Sequence, residues 1–497
     1  MEPRGRQLRS CLGHDQILEI LGEPSRGSCP PSIGSISSDD RQLPADLFVA
    51  IDGHEFDATT RIKDVISAGV QSIVTETDPP LDLDRSICWW KVKDARHSLA
   101  WLEQAGAGFP GRSLRVFGIT GTNGKSTTVQ YLSSILKTAG RDVGWMTTVE
   151  KCIGSSREAA RATTESPAEI ADALACHHAA GGTDMVLEVS SHAIDQHRVA
   201  GVPLEGAAIT TLGRDHLDYH NSIKEYHATK FRLRELCNDG APFLHPVEKQ
   251  KTGCFGYLVA APDGEIDEVT AEVLESTLSG TDARIRLKSF EREIHIRQPG
   301  IYNVSNALCA IALADACGIS EVHIVEGIES AASVPGRLEA VEGGPGKIFI
   351  DFAHTPEAIE QVLQSIRPMV SGRLLVLFGC GGDRDRGKRP LMGAAVTRYA
   401  DELFVTSDNP RSEDPEGIIH QISEGIGMHQ LVRKEVDRRK AISNALDALE
   451  ENDVLIIAGK GHEATQEIDG HKFPFNDCDV VRELIAQSHE REGELTG

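Results

Sequence analysis

The chain has 497 residues, of which 40% are hydrophobic and 25% are charged. This composition is typical of a folded protein, and the length predicts two to four domains. The formal net charge of −24 creates a field that repels DNA and RNA, which argues against nucleic acid as the main partner. An anionic substrate would therefore have to be held by local cations.

The eleven cysteines are scattered singly, without a C-x-x-C pair or the spacing of metal ligands. This pattern favours a reduced, cytoplasmic protein over a disulfide scaffold. The first fifteen residues include basic side chains, but no apolar stretch follows them, so no secretory signal is expected. Because no run of about 18 apolar residues is present, we expect no membrane association.

Short apolar runs alternate with helical patterns along most of the chain, which predicts an α/β fold with parallel sheets covered by helices. The predicted buried strands, in chain order, are residues 46–51, 115–120, 184–190, 206–212, 347–353, 373–379, 402–408 and 453–459. Residues 437–452 predict a helix, because Ile442, Ala445 and Leu449 recur on one face. Residues 283–298 alternate with a period of two, which predicts an antiparallel strand or hairpin.

Two loop-like segments mark candidate domain boundaries. The first, at residues 106–113, precedes a glycine-rich segment, and the second, at 333–339, precedes a fresh α/β series. We therefore expect three domains, and we expect the protein to be a monomer. The predicted domains are residues 1–112, 113–335 and 336–497.

The glycine-rich segment VFGITGTNGKSTTVQYL, residues 116–132, lies between a predicted strand and a predicted helix. The residue types that a phosphate site needs are present here, at Gly121, Gly124, Lys125 and Ser126. Backbone N–H groups at a helix start point at the anion, the lysine supplies a cation, and a hydroxyl can reach Mg²⁺. The alternative is a structural strand-to-helix turn, since the first glycine of the usual P-loop pattern is absent. The context favours nucleotide binding.

A lysine interrupts an apolar stripe in residues 221–237. Ile223, Tyr226 and Leu233 recur at helical spacing, and Lys230 lies between them. Its stem could pack while its ammonium group reaches solvent. Alternatively, burial could lower its pKa, and the neutral amine could take up CO₂ as a carbamate. The residues alone leave both interpretations open.

Polar side chains also follow two predicted strands. His216 comes after the strand at 206–212, and Glu188 ends the strand at 184–190. Ligands of α/β folds bind at such strand ends. The carboxylate of Glu188 is therefore a candidate Mg²⁺ ligand.

Together these segments resemble the motifs of the Mur ligases, a family of ATP-dependent amide ligases. The matching motifs are DLFVAIDGHEFD (46–57), GTNGKST (121–127), TTES (163–166), EVSSHAIDQHR (188–198), RDHLDYH (214–220), ATKFRL (228–233), GIYNVSNALCA (300–310), PGRLE (335–339), DFAHTP (351–356), GCGGDRDRGKRPLM (379–392), DNPR (408–411) and GKGHE (459–463). The resemblance implies Rossmann-like N- and C-terminal domains. It also implies a central P-loop ATPase-type domain with a small antiparallel sheet.

The resemblance also implies roles for single residues. The implied ATP-binding residues are Gly121, Thr122, Asn123, Gly124, Lys125, Ser126, Thr127, Asn303, Arg337 and Asp351. The implied Mg²⁺-site residues are Ser126, Glu188, His216 and Lys230, the last as a carbamylated N6-carboxylysine. The implied catalytic residues are Lys125, Glu188, His216 and Lys230.

Two substrate sites are implied in the same way, for a UDP-N-acetylmuramoyl dipeptide and for meso-diaminopimelate. The implied residues for the UDP-linked substrate are Asp40, Glu55, Phe56, Asp57, Thr163, Thr164, Ser190, Gln196 and Arg198. Those for diaminopimelate are Arg384, Asp408, Asn409, Pro410, Arg411, Gly459 and Glu463. Arg411 is the expected selector, since a guanidinium can grip the second carboxylate that lysine lacks.

The chain departs from the usual family pattern at three places. Asp40 replaces the serine of an Asp-Ser-Arg triplet, Ala162 precedes the threonine pair, and Gly213 precedes the RDHLD segment. Three alternatives are compatible with the resemblance. They are a Mur ligase that adds L-lysine instead of diaminopimelate, a folylpolyglutamate synthetase, and a non-enzymatic ATP-binding protein. The presence of Lys125, Glu188 and Lys230 favours an enzyme.

Overall fold

The computed structural model describes residues 6–52, 58–81, 84–217, 219–249, 251, 253–260, 265–428 and 431–496. The chain divides into two compact units, which are described separately. The first comprises residues 1–247, 257–269 and 309–327, and the second comprises residues 248–256, 270–308 and 328–497.

The first unit begins with an α/β segment and continues into a larger α/β sheet. Its N-terminal elements are β1 (Arg6–Gly13), α1 (His14–Leu21), β2 (Ser32–Ser37), β3 (Leu47–Val49), α2 (Ile62–Ser67), β4 (Ser72–Thr75), β5 (Cys88–Lys91) and α3 (Ala95–Gly106). The following elements are β6 (Arg115–Thr120), α4 (Lys125–Thr138), β7 (Val143–Met146), β8 (Glu150–Ile153), β9 (Ser156–Ala159), α5 (Pro167–Ala179), β10 (Asp184–Glu188), α6 (Ser191–Asp195), β11 (Gly206–Ile209), α7 (Ile223–Phe231) and β12 (Phe243–Val247).

The N-terminal sheet has the strand order β1-β2-β3-β4-β5. Its first pair is antiparallel, and the others are parallel. The buried face includes Leu47, Val74 and Trp90. Helix α3 begins after Asp94, whose carboxylate accepts a hydrogen bond from the His97 backbone N–H at 2.8 Å, the usual N-cap arrangement.

The second sheet of this unit includes the consecutive strands β12-β11-β6-β10-β7-β8-β9. Strand β6 pairs in parallel with both β10 and β11, so its carboxyl end lies between two others. Val116, Phe117 and Ile119 on this strand are completely buried. The loop after β6 therefore leaves the middle of the sheet at the edge where α/β folds bind ligands.

Several elements contain residues of both units or lie in the second unit. They are β13 (Cys254–Ala260), β14 (Ile266–Thr277), β15 (Gly280–Arg286), β16 (Glu291–Ile296), α8 (Tyr302–Ala316), α9 (Glu321–Glu329), β17 (Glu339–Val341), β18 (Lys347–Asp351), α10 (Pro356–Ile366), β19 (Leu374–Phe378), α11 (Lys388–Thr397), β20 (Glu402–Thr406), α12 (Pro415–Ser423), β21 (Leu431–Glu435), α13 (Arg438–Ala448), β22 (Val454–Ala458), β23 (Thr465–Ile468), β24 (His471–Pro474) and α14 (Asp477–Thr496).

The main sheet of the second unit has the order β17-β18-β22-β19-β20-β21. Only β17 is antiparallel to its neighbour among the described pairs of this sheet. Two apolar clusters pack on its opposite faces, one around Phe349 and Val376 and the other around Ile350 and Leu377. Strands β14, β15 and β16 form an antiparallel meander.

The fold confirms the predicted α/β class with several sheets. Each of the eight predicted strands is present; the strand at 115–120 has the predicted bounds, and the other seven are shorter. The period-two stretch is the hairpin β15–β16. The predicted helix at 437–452 ends earlier, because Leu449 has an extended backbone.

The predicted helix at 221–237 needs a larger correction. Helix α7 ends at Phe231, and a 3₁₀ helix covers Arg232–Leu236. Ile223 is 40% exposed, so it does not belong to a buried stripe. The apolar spacing alone could not show where the helix tightens.

Other expectations concern compartment, assembly and domain boundaries. All eleven cysteines are free thiols. Within the described ranges, no helix has the length and hydrophobicity needed to cross a bilayer. The three-domain division, the monomeric state and the cytoplasmic location stay predictions.

Candidate active site

The glycine-rich loop after β6 is fastened by two threonines that follow β11. Thr210 Oγ1 donates to the Asn123 carbonyl at 2.5 Å, and the Asn123 N–H donates to Thr211 Oγ1 at 2.8 Å. Gly121 has a φ of 150°, and a Cβ there would lie 2.0 Å from Thr210 Oγ1. The loop therefore requires glycine at this position. The two threonines were not among the predicted site residues.

The end of the loop leads directly into α4. Gly124 has a left-handed φ of 83° and precedes Lys125, the first residue of the helix. Lys125 Nζ donates to the carbonyls of Gly121 and Thr122, both at 3.1 Å. The N-terminal turn of α4 thus combines backbone N–H groups with a nearby cation, which are the groups that a phosphate site needs. Thr127 lies in the same turn and is half-buried.

Glu188, at the end of β10, lies beside this helix start. Its Oε2 accepts hydrogen bonds from Ser126 Oγ at 2.8 Å and from the Thr148 N–H at 2.9 Å. Thr148 Oγ1 donates to Oε1 at 2.8 Å. The structure therefore brings together two of the predicted metal-site residues, and it adds Thr148, which no sequence motif indicated.

The residues predicted to hold the UDP-linked substrate form a connected group next to Glu188. Thr164 Oγ1 donates to the Glu188 carbonyl at 3.0 Å and accepts from the Ser190 N–H at 2.9 Å. Arg198 donates to the Thr164 carbonyl at 2.7 Å and to Gln196 Oε1 at 2.9 Å. Burial lowers the pKa of Arg198.

Two further side chains join this group. Thr163 Oγ1 lies within hydrogen-bond distance of Thr148 Oγ1, at 3.2 Å. Gln196 Nε2 donates to Tyr219 Oη at 3.3 Å, and Tyr219 donates to Asp195 at 2.8 Å. Tertiary structure thus links the segments at 163–166 and 188–198, as the motif interpretation expects.

Lys230 is completely buried. Its Nζ lies 2.8 Å from the centroid of the Tyr226 ring, and within the described part of the chain no hydrogen-bond acceptor reaches it. Burial, reinforced by the charge of Lys125, lowers the pKa of Lys230 to about 7. The alternative of a lysine whose ammonium group reaches solvent is therefore wrong.

His216 lies in the segment that joins β11 to α7. It has a positive φ of 51°, its Nε2 is 3.5 Å from Asp215 Oδ2, and its ring centroid is 4.7 Å from that of His192. Over the described ranges, no group of three or more His, Cys, Asp or Glu side chains has the geometry of a metal site. Only Glu188 and His216 of the predicted four-residue metal set are of these types, so the set stays a prediction.

The N-terminal residues of the predicted UDP site are only partly described. Asp40 Oδ2 lies 3.2 Å from Arg61 Nε, while Arg41 pairs with Asp39 through two hydrogen bonds. The carboxylate that replaces the family's usual serine is therefore charge-paired. Glu55, Phe56 and Asp57 lie outside the described residues.

Three predicted nucleotide contacts belong to the second unit. Asn303 Nδ2 donates to the Pro299 carbonyl at 2.8 Å. Arg337 lies over the Phe352 ring, 4.8 Å from its centroid. Asp351 accepts from the Leu338 and Ala353 N–H groups, each at 2.8 Å, and burial raises the pKa of its carboxyl.

The predicted amino-acid pocket lies at the carboxyl ends of β20 and β22. Asn409 Nδ2 donates to Asp408 Oδ1 at 2.9 Å and to Glu463 Oε2 at 2.8 Å. Asn409 Oδ1 accepts from the Glu467 N–H at 2.9 Å. Its amide therefore holds two carboxylates in place, with Gly459 packed against one of them.

A further charged residue of this group, Lys460, lies inside the GKGHE motif and was not among the predicted site residues. It is completely buried, and its Nζ donates to Glu463 Oε2 at 2.9 Å and to the Thr465 carbonyl at 2.7 Å. A lysine between two glycines gave no apolar pattern, so only the motif itself could have indicated it.

Arg411 lies on the neighbouring loop with a positive φ of 52°. Its NH1 donates to the Gly382 carbonyl at 2.7 Å, and its Nε lies 3.5 Å from Glu467 Oε2. Arg384 donates to the Asp383 carbonyl at 3.1 Å. Pro410 precedes Arg411, and a Cβ at Gly382 would meet its carbonyl at 1.9 Å.

Comparison with known families gives two matches along the chain. Residues 119–314 match the model for the Mur ligase middle domain. Residues 336–461 match the model described as Mur ligase, glutamate ligase domain.

Similar proteins match almost the whole chain. A UDP-N-acetylmuramoyl-L-alanyl-D-glutamate–2,6-diaminopimelate ligase of Aquifex aeolicus is 37% identical, covering 88% of this chain and 90% of its own. The ligase with the same description from Caldanaerobacter subterraneus subsp. tengcongensis is 34% identical, covering 95% and 98%. A solved structure of such a ligase is 27% identical, with a TM-score of 0.66 and coverages of 95% and 99%.

Proposed function

Because this chain belongs to the Mur ligase family, we propose that it is an ATP-dependent ligase that joins meso-2,6-diaminopimelate to UDP-N-acetylmuramoyl-L-alanyl-D-glutamate, in the synthesis of peptidoglycan precursors. Relatives with this description align over nearly its full length. The structural observation that carries the proposal is the group of polar side chains at the carboxyl ends of β20 and β22. There, Asn409 holds the carboxylates of Asp408 and Glu463, and the guanidinium of Arg411 lies on the neighbouring loop.

The pocket chemistry fits a diamino dicarboxylic acid. Carboxylates attract an ammonium group, and a guanidinium binds a carboxylate with two parallel hydrogen bonds. L-Lysine has no second carboxylate, so it would gain no ion pair with a guanidinium that binds that group. We infer that Arg411 selects diaminopimelate, with Asp408, Asn409, Glu463 and the backbone of Gly459 holding the amino-acid end.

The reaction needs activation, because a carboxylate is a poor electrophile. The D-glutamyl carboxylate of the UDP-linked substrate attacks the γ-phosphorus of ATP, which gives an acyl phosphate and ADP. The amine of diaminopimelate then attacks the acyl carbon, and phosphate leaves as the amide forms. Both steps depend on placement and on cations near the phosphate oxygens.

We assign phosphate binding to the loop Gly121–Thr127 and the start of α4. Lys125 already lies against the loop carbonyls, and a short movement of its flexible stem would bring the ammonium group to a bound anion. The connected side chains of Thr164, Ser190 and Arg198 would orient the UDP-linked substrate beside Glu188.

The oxygen donors next to this loop fit Mg²⁺. Ser126 Oγ and the carboxylate of Glu188 are 2.8 Å apart, and Mg²⁺ prefers oxygen ligands, keeping waters and substrate phosphates for its other positions. A site built this way needs few protein ligands. Bound Mg²⁺ would supply positive charge to the phosphate oxygens.

Lys230 has the environment of a lysine that carries CO₂. Its buried Nζ has no acceptor among the described residues, and its lowered pKa leaves about half of the amine neutral near pH 7. A neutral amine attacks CO₂ to give a carbamate and release a proton. We propose that this carbamate adds a negative group close to Lys125 and to the phosphate loop.

The test is an amino-acid-dependent phosphate-release assay with ATP, Mg²⁺ and the UDP-linked dipeptide. We expect rapid release with meso-diaminopimelate and little with L-lysine. Release that depends on L-lysine instead would favour the lysine-adding alternative. Release only with a folate and glutamate would favour a folylpolyglutamate synthetase, and no release with any pair would remove the enzyme proposal.

A further inference from the structure

A fully buried ion pair lies behind the proposed amino-acid pocket. Arg438 is the first residue of α13, and Asp477 is the first residue of α14. Arg438 Nε and NH2 each donate to one carboxylate oxygen of Asp477, at 2.7 Å, and both side chains are completely buried. Burying two charges is costly unless every polar group has a partner, so the other contacts of this guanidinium matter.

Its remaining hydrogen bonds go to two strand ends. Arg438 NH1 donates to the Ser407 carbonyl at 3.2 Å, and NH2 donates to the Ala458 carbonyl at 3.1 Å. Strands β20 and β22 are not neighbours, because β19 lies between them. The guanidinium therefore joins two strand ends across a third strand.

The two carbonyls directly precede pocket residues. Ser407 is followed by Asp408, and Ala458 by Gly459. These residues are in close contact, since a Cβ on Gly459 would lie 2.7 Å from Asp408 Oδ2. Any change in the separation of the strand ends would thus move the Asp408 carboxylate relative to the backbone of Gly459.

We propose that Arg438, anchored by Asp477, is a positioning residue that sets the width of the amino-acid pocket and hence the affinity for meso-diaminopimelate; this inference rests on the proposed function. Arginine suits the role because its rigid fork presents N–H groups in fixed directions. Lysine would keep the charge, but its single ammonium group cannot span the same carboxylate and both carbonyls.

The decisive variant is Arg438→Lys, compared with two controls in the same unit. Arg373→Lys alters the ion pair with Asp453, which directly precedes β22 and so lies at the amino-terminal end of the strands, away from the pocket. Ile442→Val removes one methyl group from the buried face of α13, so it lowers stability without changing a hydrogen bond. The melting temperatures of all three variants show whether a difference in KM comes with a difference in stability.

We expect Arg438→Lys to raise the KM for meso-diaminopimelate by about tenfold or more, the scale of one lost buried hydrogen bond. The KM values for ATP and for the UDP-linked dipeptide should stay within about twofold of the wild type. The controls should leave all three KM values near wild type. Equal rises in all three KM values, or the same diaminopimelate effect in a control, would overturn the inference.

A second measurement needs no substrate and keeps the test valid if Arg438→Lys is poorly active. Hydrogen exchange of backbone amides at residues 406–411 and 458–463 should speed up by about tenfold in Arg438→Lys, with little change in β19. An equal change in exchange rate at residues 406–411, at residues 458–463 and in β19 would contradict the positioning role. A wild-type enzyme without diaminopimelate-dependent turnover would instead contradict the proposed function, whatever the exchange result.

Discussion

At the scale of single residues, burial decides the chemistry of Lys230. A lysine in an apolar stripe has two possible positions, and only the surrounding side chains choose between them. Here Tyr226 covers the ammonium group, and Lys125 adds a like charge nearby. Both effects disfavour the charged form.

The first prediction concerns Lys230→Ala. The substitution removes the proposed carbamate but leaves the phosphate loop intact, so ATP affinity should change by less than about threefold, while turnover should fall by about 100-fold or more. Phosphate release and ATP titration measure the two effects, and formate or acetate should restore part of the turnover. Lys224→Ala, on the exposed face of the same helix, is the control. Full turnover in Lys230→Ala would remove the carbamate proposal.

The second prediction concerns pH. The pKa of Lys230 is about 7 in the folded protein, against about 10.4 for an exposed lysine. Between these values the unfolded chain binds more protons, so the burial of Lys230 destabilises the fold; this penalty is largest at and below about pH 7 and falls as the pH rises towards the unfolded pKa. The fraction of Lys230 that is neutral, and can therefore react with CO₂, rises with pH.

Enzyme freed of CO₂ and then given the same concentration of dissolved CO₂ at each pH should therefore regain activity faster at pH 8 than at pH 6. Incorporation of ¹³C-labelled CO₂, followed by NMR, gives a readout that does not depend on activity. Lys230→Ala should show no such signal. Recovery that is independent of pH would show that another group is responsible.

The third prediction concerns Arg411→Ala. If this guanidinium holds the second carboxylate, its loss should reduce the preference for meso-diaminopimelate over L-lysine by about 30-fold or more, since an unpaired buried partner costs about 2 kcal/mol. The ratio of kcat/KM for the two amino acids measures this. Arg398→Ala, an exposed arginine of the same unit that pairs with Glu360, should keep the preference. An unchanged ratio in Arg411→Ala would place the selectivity elsewhere.

At the scale of elements, the phosphate loop depends on the strand next to it. The loop between β6 and α4 is held by Thr210 and Thr211 from the end of β11. The glycine pattern predicted the loop, because helix starts after strands favour glycine. The partner threonines could not be predicted, since they are about 90 residues away in the sequence and depend on which strand pairs with β6.

The fourth prediction follows from this contact. In Gly121→Ala the new Cβ would collide with Thr210 Oγ1, so the loop must move, and ATP affinity should fall by about tenfold or more. Gly140→Ala is the control: Gly140 also has a positive φ, but no atom lies near its Cβ position. The control should lower the melting temperature and leave the ATP affinity unchanged. Isothermal titration of both variants tests the difference.

At the scale of the whole molecule, the first unit joins the N-terminal sheet to the larger sheet through charged contacts. Arg6 pairs with the buried carboxylate of Glu103 and with Asp172 on α5. Arg9 pairs with Asp172, where both side chains are more than 40% exposed, and also donates to Cys176 Sγ. With a net charge of −24, each such cation also reduces local repulsion.

The fifth prediction compares these two arginines. Arg6→Ala leaves the buried Glu103 carboxylate unpaired and should lower the stability by about 1–3 kcal/mol. Arg9→Ala breaks an exposed pair and should cost about 0–1 kcal/mol. Thermal unfolding measures both. Equal effects would mean that the buried Arg6–Glu103 pair adds no more stability than the exposed Arg9–Asp172 pair.

The sequence by itself determined the fold class and the short motifs, because strand and helix periodicity and glycine turns are local properties. It therefore indicated the phosphate loop, Glu188, Lys230 and the pocket motifs. Only the tertiary structure decided that Lys230 is buried, that Asp40 is paired with Arg61, and that Arg438 links two strand ends. These features depend on contacts between residues far apart in the chain, and burial and charge pairing arise from those contacts.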